Sequence, residues 1–306
     1  MTQDSNPQKV LVTGARGFVG RAVVKLLQRK GYEVVALDRS PVTAGCDYRQ
    51  VTVDITDTAQ LRDAFAQGGM AGIVHLAAIL PTAAQRDPEL ATRVNVHGSV
   101  NLLEMAREFG VRRFVFGSSL SIYGTWPANY SVSEADRAAP EDVYGAAKLY
   151  VEQCGAAYRG LYGLEFVSLR IGRVVGPGAR SKTSAWRSQI FESLSAREAT
   201  VIEMPFRESE RILAVHVDDV AGMLVKLIQA PQPWQSIYNA CCESVVVGEL
   251  KRTVEELNSN IQVRLGSTEV IGNPRALDCS RFRTEFGFET VPILEQLRAA
   301  AGGMPV

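Results

Sequence analysis

Thr13-Gly14-Ala15-Arg16-Gly17-Phe18-Val19-Gly20 is the stretch that decides the fold. It follows the apolar run Lys9 to Thr13 and opens a helical pattern beginning near Phe18, so its glycines sit in a strand-to-helix turn. In such a turn the first glycine lets the chain reverse tightly. The second lets backbone approach a pyrophosphate, and the third lets helix and strand pack closely. The N–H groups of the first helical turn, at Phe18 and Val19, add donors and a positive dipole. Working outward, short β-branched runs alternate with segments of helical period from Lys9 to about Leu169. The runs are Lys9 to Thr13, Glu33 to Leu37, Gln50 to Asp54, Gly72 to Leu76, Arg113 to Ser118 and Glu165 to Leu169. Repeated βαβ units of this kind predict an α/β fold, a doubly wound parallel sheet whose ligand crevice lies outside the carboxyl ends of the strands.

Composition narrows the classes. The 306 residues carry 33 basic and 33 acidic side chains, with 46% apolar and 22% charged residues. That balance excludes a disordered chain and a basic nucleic-acid-binding body. Five scattered cysteines without CxxC spacing suggest no disulfide framework and no zinc site, and three histidines provide no metal triad. A reducing cytoplasm is the expected setting. The first residues lack an apolar leader, and Ile73 to Leu80 is too short to span a bilayer, so neither export nor a membrane partner is expected. After Gly176-Pro177-Gly178 the chain turns basic and irregular through Arg180, Lys182, Arg187 and Arg197. The reading is a dinucleotide-binding domain over 1–170 and a smaller, mainly substrate-binding part over 171–306, with some late elements returning to the first domain.

Asp38 ends the second strand, where a carboxylate accepts hydrogen bonds from both hydroxyls of an adenosine ribose and repels a 2′-phosphate. This favours NAD. Arg16 in the glycine turn and Arg39 after the acid are positioned to grip that phosphate instead, which keeps NADP open. Asp54 and Ile55, at the end of the third strand, suit an adenine edge and ring face, although Asp54 reads equally well as an acid at a helix start.

Tyr144-Gly145-Ala146-Ala147-Lys148 places a phenol and an ammonium on one helix face a single turn apart. The ammonium favours tyrosinate, which makes Tyr144 a candidate proton acceptor near neutral pH. Upstream, Phe114-Val115-Phe116-Gly117-Ser118-Ser119-Leu120-Ser121-Ile122-Tyr123-Gly124 is a buried-type strand ending in hydroxyls. A serine there can hydrogen-bond a substrate oxygen as charge develops on it.

The chain now resembles a known family, the extended short-chain dehydrogenases/reductases, in their NAD-dependent epimerase/dehydratase branch. The resemblance runs from the glycine turn through His75 to Ala78 (HLAA), Asn95-Val96-x-Gly98, SSLSIYG, YGAAK, GPG and His216 to Asp219 (HVDD). It implies a Rossmann fold and a catalytic set of Ser119, four residues before Tyr123, with Tyr144 and Lys148. By the same resemblance Leu76, Ala77, Ala78 and Asn95 line the cofactor channel, together with Gly14, Gly17, Gly20, Asp38 and Asp54, while Ile79 and Ser121 face the substrate. It also implies a homodimer, with the helix bearing Tyr144 and the helix near Val96 to Phe109 paired across a two-fold axis.

Two departures bear on the substrate. Leu120-Ser121 follows Ser119 where family dehydratases carry an acidic pair, which argues against dehydration. Ile212 occupies the position where nucleotide-sugar members bring an arginine, with Arg211 one residue earlier, and the segment before it is short. The expectation is therefore hydride removal from a secondary hydroxyl of a sugar acid or small polyhydroxy substrate, with Tyr144 as base. Arg173, Arg180, Lys182, Arg207 and Arg211 are candidate partners of the acid, and Trp186 is either a lid or a packing residue. A nucleotide-sugar epimerase retaining its NAD is the alternative. A non-catalytic dinucleotide sensor is the second, disfavoured because the Tyr-x-x-x-Lys pair and its serine are all present. His75 reads as a satisfied core histidine and His216 as structural.

Overall fold

The structure is a computed structural model that describes residues 8–42, 45–179, 184–196 and 199–302. It divides into two compact units. The first comprises Met1–Ser119, Asp142–Arg170 and Ala221–Tyr238. Its opening strands are β1 (Lys9–Thr13), β2 (Glu33–Asp38), β3 (Arg49–Thr52), β4 (Met70–His75) and β5 (Arg113–Ser119). Its helices are α1 (Phe18–Arg29), α2 (Thr58–Phe65), the short α3 (Pro81–Arg86) and α4 (Pro88–Ala91), α5 (Ser99–Glu108) and α6 (Val143–Tyr162). Strand Glu165–Ile171 lies beside β5, and strand Ile237–Asn239 lies beyond it. The seven-stranded sheet runs, edge to edge, Ile237–Asn239, Glu165–Ile171, β5, β4, β1, β2, β3. β1 pairs in parallel with both β2 and β4, so the order reverses at β1 and the connections diverge above its carboxyl end.

The elements form where the side chains require them. β1, β4 and β5 are buried almost throughout, as continuous apolar strands covered on both faces must be. Asp57 caps α2 by accepting from the amides of Ala59 and Gln60, and Asp142 caps α6 through the Gly145 amide. Gly163, in the left-handed conformation, closes α6. Phe114, Phe116 and Phe166 pack in one buried cluster with Leu102, Leu103 and Val151, the Phe114 and Phe166 rings stacked. Arg113 is 1% exposed, yet its guanidinium is satisfied by the carbonyls of Leu227, Ile228, Ala230 and Pro231 and by Glu165. It thereby fastens the end of helix Val217–Gln229 beside β5.

The second unit comprises Leu120–Glu141, Ile171–Val220 and Asn239–Val306. It holds a three-stranded sheet of Glu243–Val246, Arg211–His216 and Arg173–Val175, with Arg211–His216 antiparallel to the first and parallel to the second. A parallel ribbon pairs Thr200–Phe206 with Ile261–Thr268. Helices Trp186–Ala196, Val247–Leu257 and Ile293–Ala301 supply a core of its own, with Ile190, Phe191, Leu250 and Leu297 among its members. The stretch read as irregular therefore contains a helix. Trp186, Ile190, Phe191 and Leu194 recur at helical spacing inside it, and the flanking basic residues obscure the pattern. The late strand Ile237–Asn239 joins the edge of the first sheet. Among the described residues no helix is long and apolar enough to cross a membrane, and no group of His, Cys, Asp or Glu is placed to hold a metal ion.

Candidate active site

Above the carboxyl end of β1 the glycine turn is shaped by contact. Gly14 has φ +64°, and a Cβ there would lie 2.7 Å from the amide nitrogen of Ala77. At Gly20 a Cβ would fall 2.1 Å from the Gly14 carbonyl, so only glycine lets α1 seat this closely. Gly17 is the N-cap of α1 and offers no side-chain acceptor, and no acid stands in the first turn. The N–H groups at Phe18 and Val19 are thus left to an anion. The Asp38 carboxylate accepts from the Arg16 amide at 3.0 Å and the Ser40 amide at 3.0 Å, which holds it at the rim of the turn. The Arg16 guanidinium is engaged by the carbonyls of Ser40 and Pro41 and by Gln50 at 2.7 Å. Arg39, the other residue read as a candidate grip on a 2′-phosphate, is exposed. Asp54 accepts from the amide and hydroxyl of Thr56, and the capping role falls to Asp57. Ile55 is buried against Gly98, where a Cβ would meet it at 2.6 Å. These residues fit a dinucleotide: a cradle closed to any Cβ, uncapped amides for the pyrophosphate, and an acid at the ribose position.

Beneath the cradle runs a buried hydrogen-bond chain whose direction can be deduced. The Ser99 hydroxyl donates to the Asn95 carbonyl at 2.7 Å, so it accepts from Nε2–H of His75 at 2.8 Å. Nδ1 of His75 then accepts from the Thr13 hydroxyl at 2.6 Å. The Thr13 oxygen in turn accepts from the amides of Leu76 and Ala77 at 3.2 and 3.3 Å. Burial lowers the proton affinity of His75 to about 3, with Lys148 adding to the effect, so the ring stays neutral and the chain keeps one direction. Asn95, on a π-helical turn over Thr92–Gly98, clamps both backbone groups of Ile79 at 2.7 and 2.9 Å. Leu76 to Ile79 are thereby fixed as a half-buried wall. His75 is the satisfied core histidine that the sequence suggests, and its neighbours Thr13 and Ser99 carried no sequence signal beyond their polarity.

Tyr144 and Lys148 stand on the first turns of α6. The Lys148 ammonium is buried, donates to the Gly117 carbonyl of β5 at 2.6 Å, and lies 4.5 Å over the Phe116 ring and 5.6 Å from the Tyr144 ring centroid. Ser119 ends β5, two residues beyond that carbonyl, and is 9% exposed. Burial pulls Lys148 down to about 7, and Glu152, one turn further along α6, works against it. Glu152 is itself buried, accepting from Arg170 Nη2 at 2.7 Å and the Ser168 hydroxyl at 2.8 Å. Neither Glu152 nor Arg170 was singled out in the sequence, although a Lys-x-x-x-Glu spacing on a helix was there to be read.

The family model for "NAD dependent epimerase/dehydratase family" matches residues 10–241. The chain belongs to this family. Membership makes it an enzyme of NAD-dependent oxidoreductase or isomerase chemistry. Among relatives, it is 35% identical over 175 residues to a UDP-glucose 4-epimerase of Lacticaseibacillus casei, covering 55% of this chain and about half (52%) of that epimerase's length. It is 25% identical over 268 residues to the mitochondrial L-threonine 3-dehydrogenase of Bos taurus, covering 85% of this chain and 71% of that one. The crystal structure of the UDP-glucose 4-epimerase of Thermus thermophilus in complex with NAD superimposes with a TM-score of 0.83 at 27% identity, covering 96% of this chain and 98% of the other.

In this epimerase/dehydratase family member the remaining predicted residues lie in the second unit. Ser121 is buried in a 3₁₀ turn, Leu120–Ile122. Trp186 is 3% exposed and packs edge-on against Phe206, so its lid reading gives way to packing. Arg173 opens a strand with its guanidinium 4.8 Å over the Phe206 ring, whereas Arg211 is exposed. Arg207 pairs with Glu269 on the surface. Arg180, Lys182 and Arg197 lie outside the described residues. His216 is buried with its Nδ1 accepting from the Asp218 amide, as a structural residue.

Proposed function

We propose that the enzyme oxidises a secondary hydroxyl of a sugar acid or related small polyhydroxy acid, with Tyr144 taking the hydroxyl proton. The observation that carries this reading is the placement of Lys148. Its ammonium is buried, tethered to Gly117 and close to the Tyr144 ring, so its charge acts on the phenol with little screening. Ser119, at the end of the same strand, would orient the carbinol oxygen as it loses its proton. Asp38, the amides at Phe18 and Val19, and the wall Leu76 to Ala78 held by Asn95 would bind NAD. When bound, NAD supplies the hydride acceptor. With Asp38 held at the rim and Arg16 engaged elsewhere, the residues suit a free ribose rather than a 2′-phosphate.

Net oxidation is preferred because the arginine expected for a nucleotide diphosphate is replaced by Ile212, a buried residue. The threonine dehydrogenase relative is named for a substrate that is itself a small hydroxy acid. The epimerase relatives favour the second reading, conversion of a nucleotide sugar without net reduction. The test is absorbance at the reduced-nicotinamide band with NAD, then NADP, against sugar acids, polyols and nucleotide sugars. Growth with an acid supports the first reading; a nucleotide sugar converted to its epimer without growth replaces it with the second. Tyr150, Leu161 and Tyr162 on α6 are exposed, which supports a homodimer through that helix, with sedimentation as its test.

A further inference from the structure

We propose that Arg173 and Arg187 form, within the second unit, a binding site for one oxyanion, a carboxylate or a phosphate group. Several arginines of this unit are matched with acids: Arg207 with Glu269, Arg264 with Glu203, Arg275 with Glu210, Arg281 with Glu134. Arg173 is different. It makes no ion pair among the described residues, and its Nε is buried without a hydrogen-bond partner there. Burial, with the charge of a second cation, Arg187, acting in the same direction, pulls its proton affinity down to about 9.

Backbone hydrogen bonds hold these like charges together. After strand Arg173–Val175 the chain doubles back: the Gly176 amide donates to the Arg187 carbonyl at 3.0 Å, the Ser188 hydroxyl to the Gly176 carbonyl at 2.7 Å, and the Ala179 amide to the Ser188 hydroxyl at 2.6 Å. The residue that follows strand Arg173–Val175 is thereby tied to the first turn of helix Trp186–Ala196, which carries Arg187. The Phe206 ring lies 4.8 Å from the Arg173 guanidinium carbon, a contact that an arginine makes while keeping its donor fork for an oxyanion. The first turn of the helix carries no acid, so its dipole adds to the same field. Burial and the Arg187 charge both disfavour the Arg173 cation, and an arriving oxyanion offsets this while supplying acceptors for charge-assisted hydrogen bonds. The proposal deepens the reading above and rests on it for which anion arrives, the acid group of the substrate or a free anion.

The experiment titrates the NAD-loaded enzyme calorimetrically with inorganic phosphate and with malonate, in wild type and in Arg173→Met, Arg173→Lys and Arg187→Met. The expected result is binding of at least one of the two anions, weakened about tenfold to a hundredfold by either methionine variant and less by lysine, the range for lost charge-assisted hydrogen bonds. Unchanged NAD affinity in each variant shows that the fold is kept. Failure of the wild type to take up either anion, or wild-type affinity in both methionine variants, overturns the site. A raised KM for the oxidised sugar acid in Arg173→Met identifies the anion as the substrate's own group. An unchanged KM with lost phosphate binding identifies a free anion. If no sugar acid is oxidised while phosphate binding still depends on Arg173, the dehydrogenase reading falls and the anion site stands; oxidation that proceeds with phosphate binding indifferent to both arginines does the reverse.

Discussion

Replacing Glu152 by glutamine tests the buried support of the Tyr144–Lys148 pair. The Glu152 and Arg170 side chains are 1% and 5% exposed and meet through Nη2 at 2.7 Å and through Nε at 3.2 and 3.3 Å. The carboxamide keeps an acceptor for the Ser168 hydroxyl but leaves the guanidinium buried without its countercharge. Removing one partner of a buried pair costs about 3–5 kcal/mol. At roughly 2–4 °C per kcal/mol for a unit of this size, the melting temperature should fall by about 6–20 °C. Replacing both residues, as Glu152→Met with Arg170→Met, should recover most of the loss, because the charge is then absent rather than stranded. The glutamine variant also removes what opposes burial at Lys148, so the ammonium is lost at lower pH than its present value of about 7. The alkaline limb of turnover should move to lower pH with it. Urea unfolding followed by circular dichroism, together with a pH–rate profile, checks both effects. A loss below about 1 kcal/mol in Glu152→Gln would refute the buried-pair argument, since that is the value of a water-exposed pair.

Other outcomes follow from the same geometry. Tyr144→Phe should reduce turnover by orders of magnitude while NAD affinity, measured by fluorescence titration, persists; unchanged turnover removes Tyr144 as the base. Asp38→Ser should weaken NAD and narrow the preference over NADP, read from the ratio of kcat/KM values, since the acid that repels a 2′-phosphate is gone. Thr13→Val leaves Nδ1 of the neutral His75 without its donor and should cost about 1–3 kcal/mol in denaturant unfolding. In the second unit, burial raises Asp219 to about 6, with Asp218 adding to the effect and the Gln296 hydrogen bond opposing it. The folded form therefore holds this proton more tightly than the unfolded chain, and its stability declines as pH rises through 6. Asp219→Asn should flatten that decline and leave stability below about pH 4, the ordinary carboxylate range, nearly unchanged, as a pH series of melting temperatures would show.

The first half of the fold was legible because period and punctuation coincide there. β1 matches its expected span residue for residue, and α1 begins at Phe18 as the glycine turn requires. Tyr144 and Lys148 are legible for the same reason, since helical spacing alone places them on one face. What was not legible depends on partners remote in sequence. Arg16 reads as one alternative for gripping a 2′-phosphate, and its hydrogen bonds to the carbonyls of Ser40 and Pro41 come from residues far along the chain. Trp186 reads as either a lid or a packing residue until Phe206 is seen against it. Arg187 looks like any surface cation in a basic stretch, because only the fold-back at Gly176 brings it to Arg173. The strand at Ile237–Asn239 is too short to announce its sheet, and its place is set by neighbours far earlier in the chain.

That late strand, with the Arg113 fastening of Leu227 to Pro231, bears on the order in which the chain can fold as it is synthesised. The first unit is closed by residues 221–238, which leave the ribosome only after residues 171–220 of the second unit have been made. Until then the Arg113 guanidinium faces the edge of an unfinished sheet without its carbonyls, and Gly72 lacks the Ile228 side chain that packs over it. A nascent chain halted near residue 170 therefore holds the whole glycine turn and the Tyr144–Lys148 helix, yet cannot complete the unit that carries them. Possession of the catalytic motifs and possession of a stable fold are separated in time by the whole of the intervening segment.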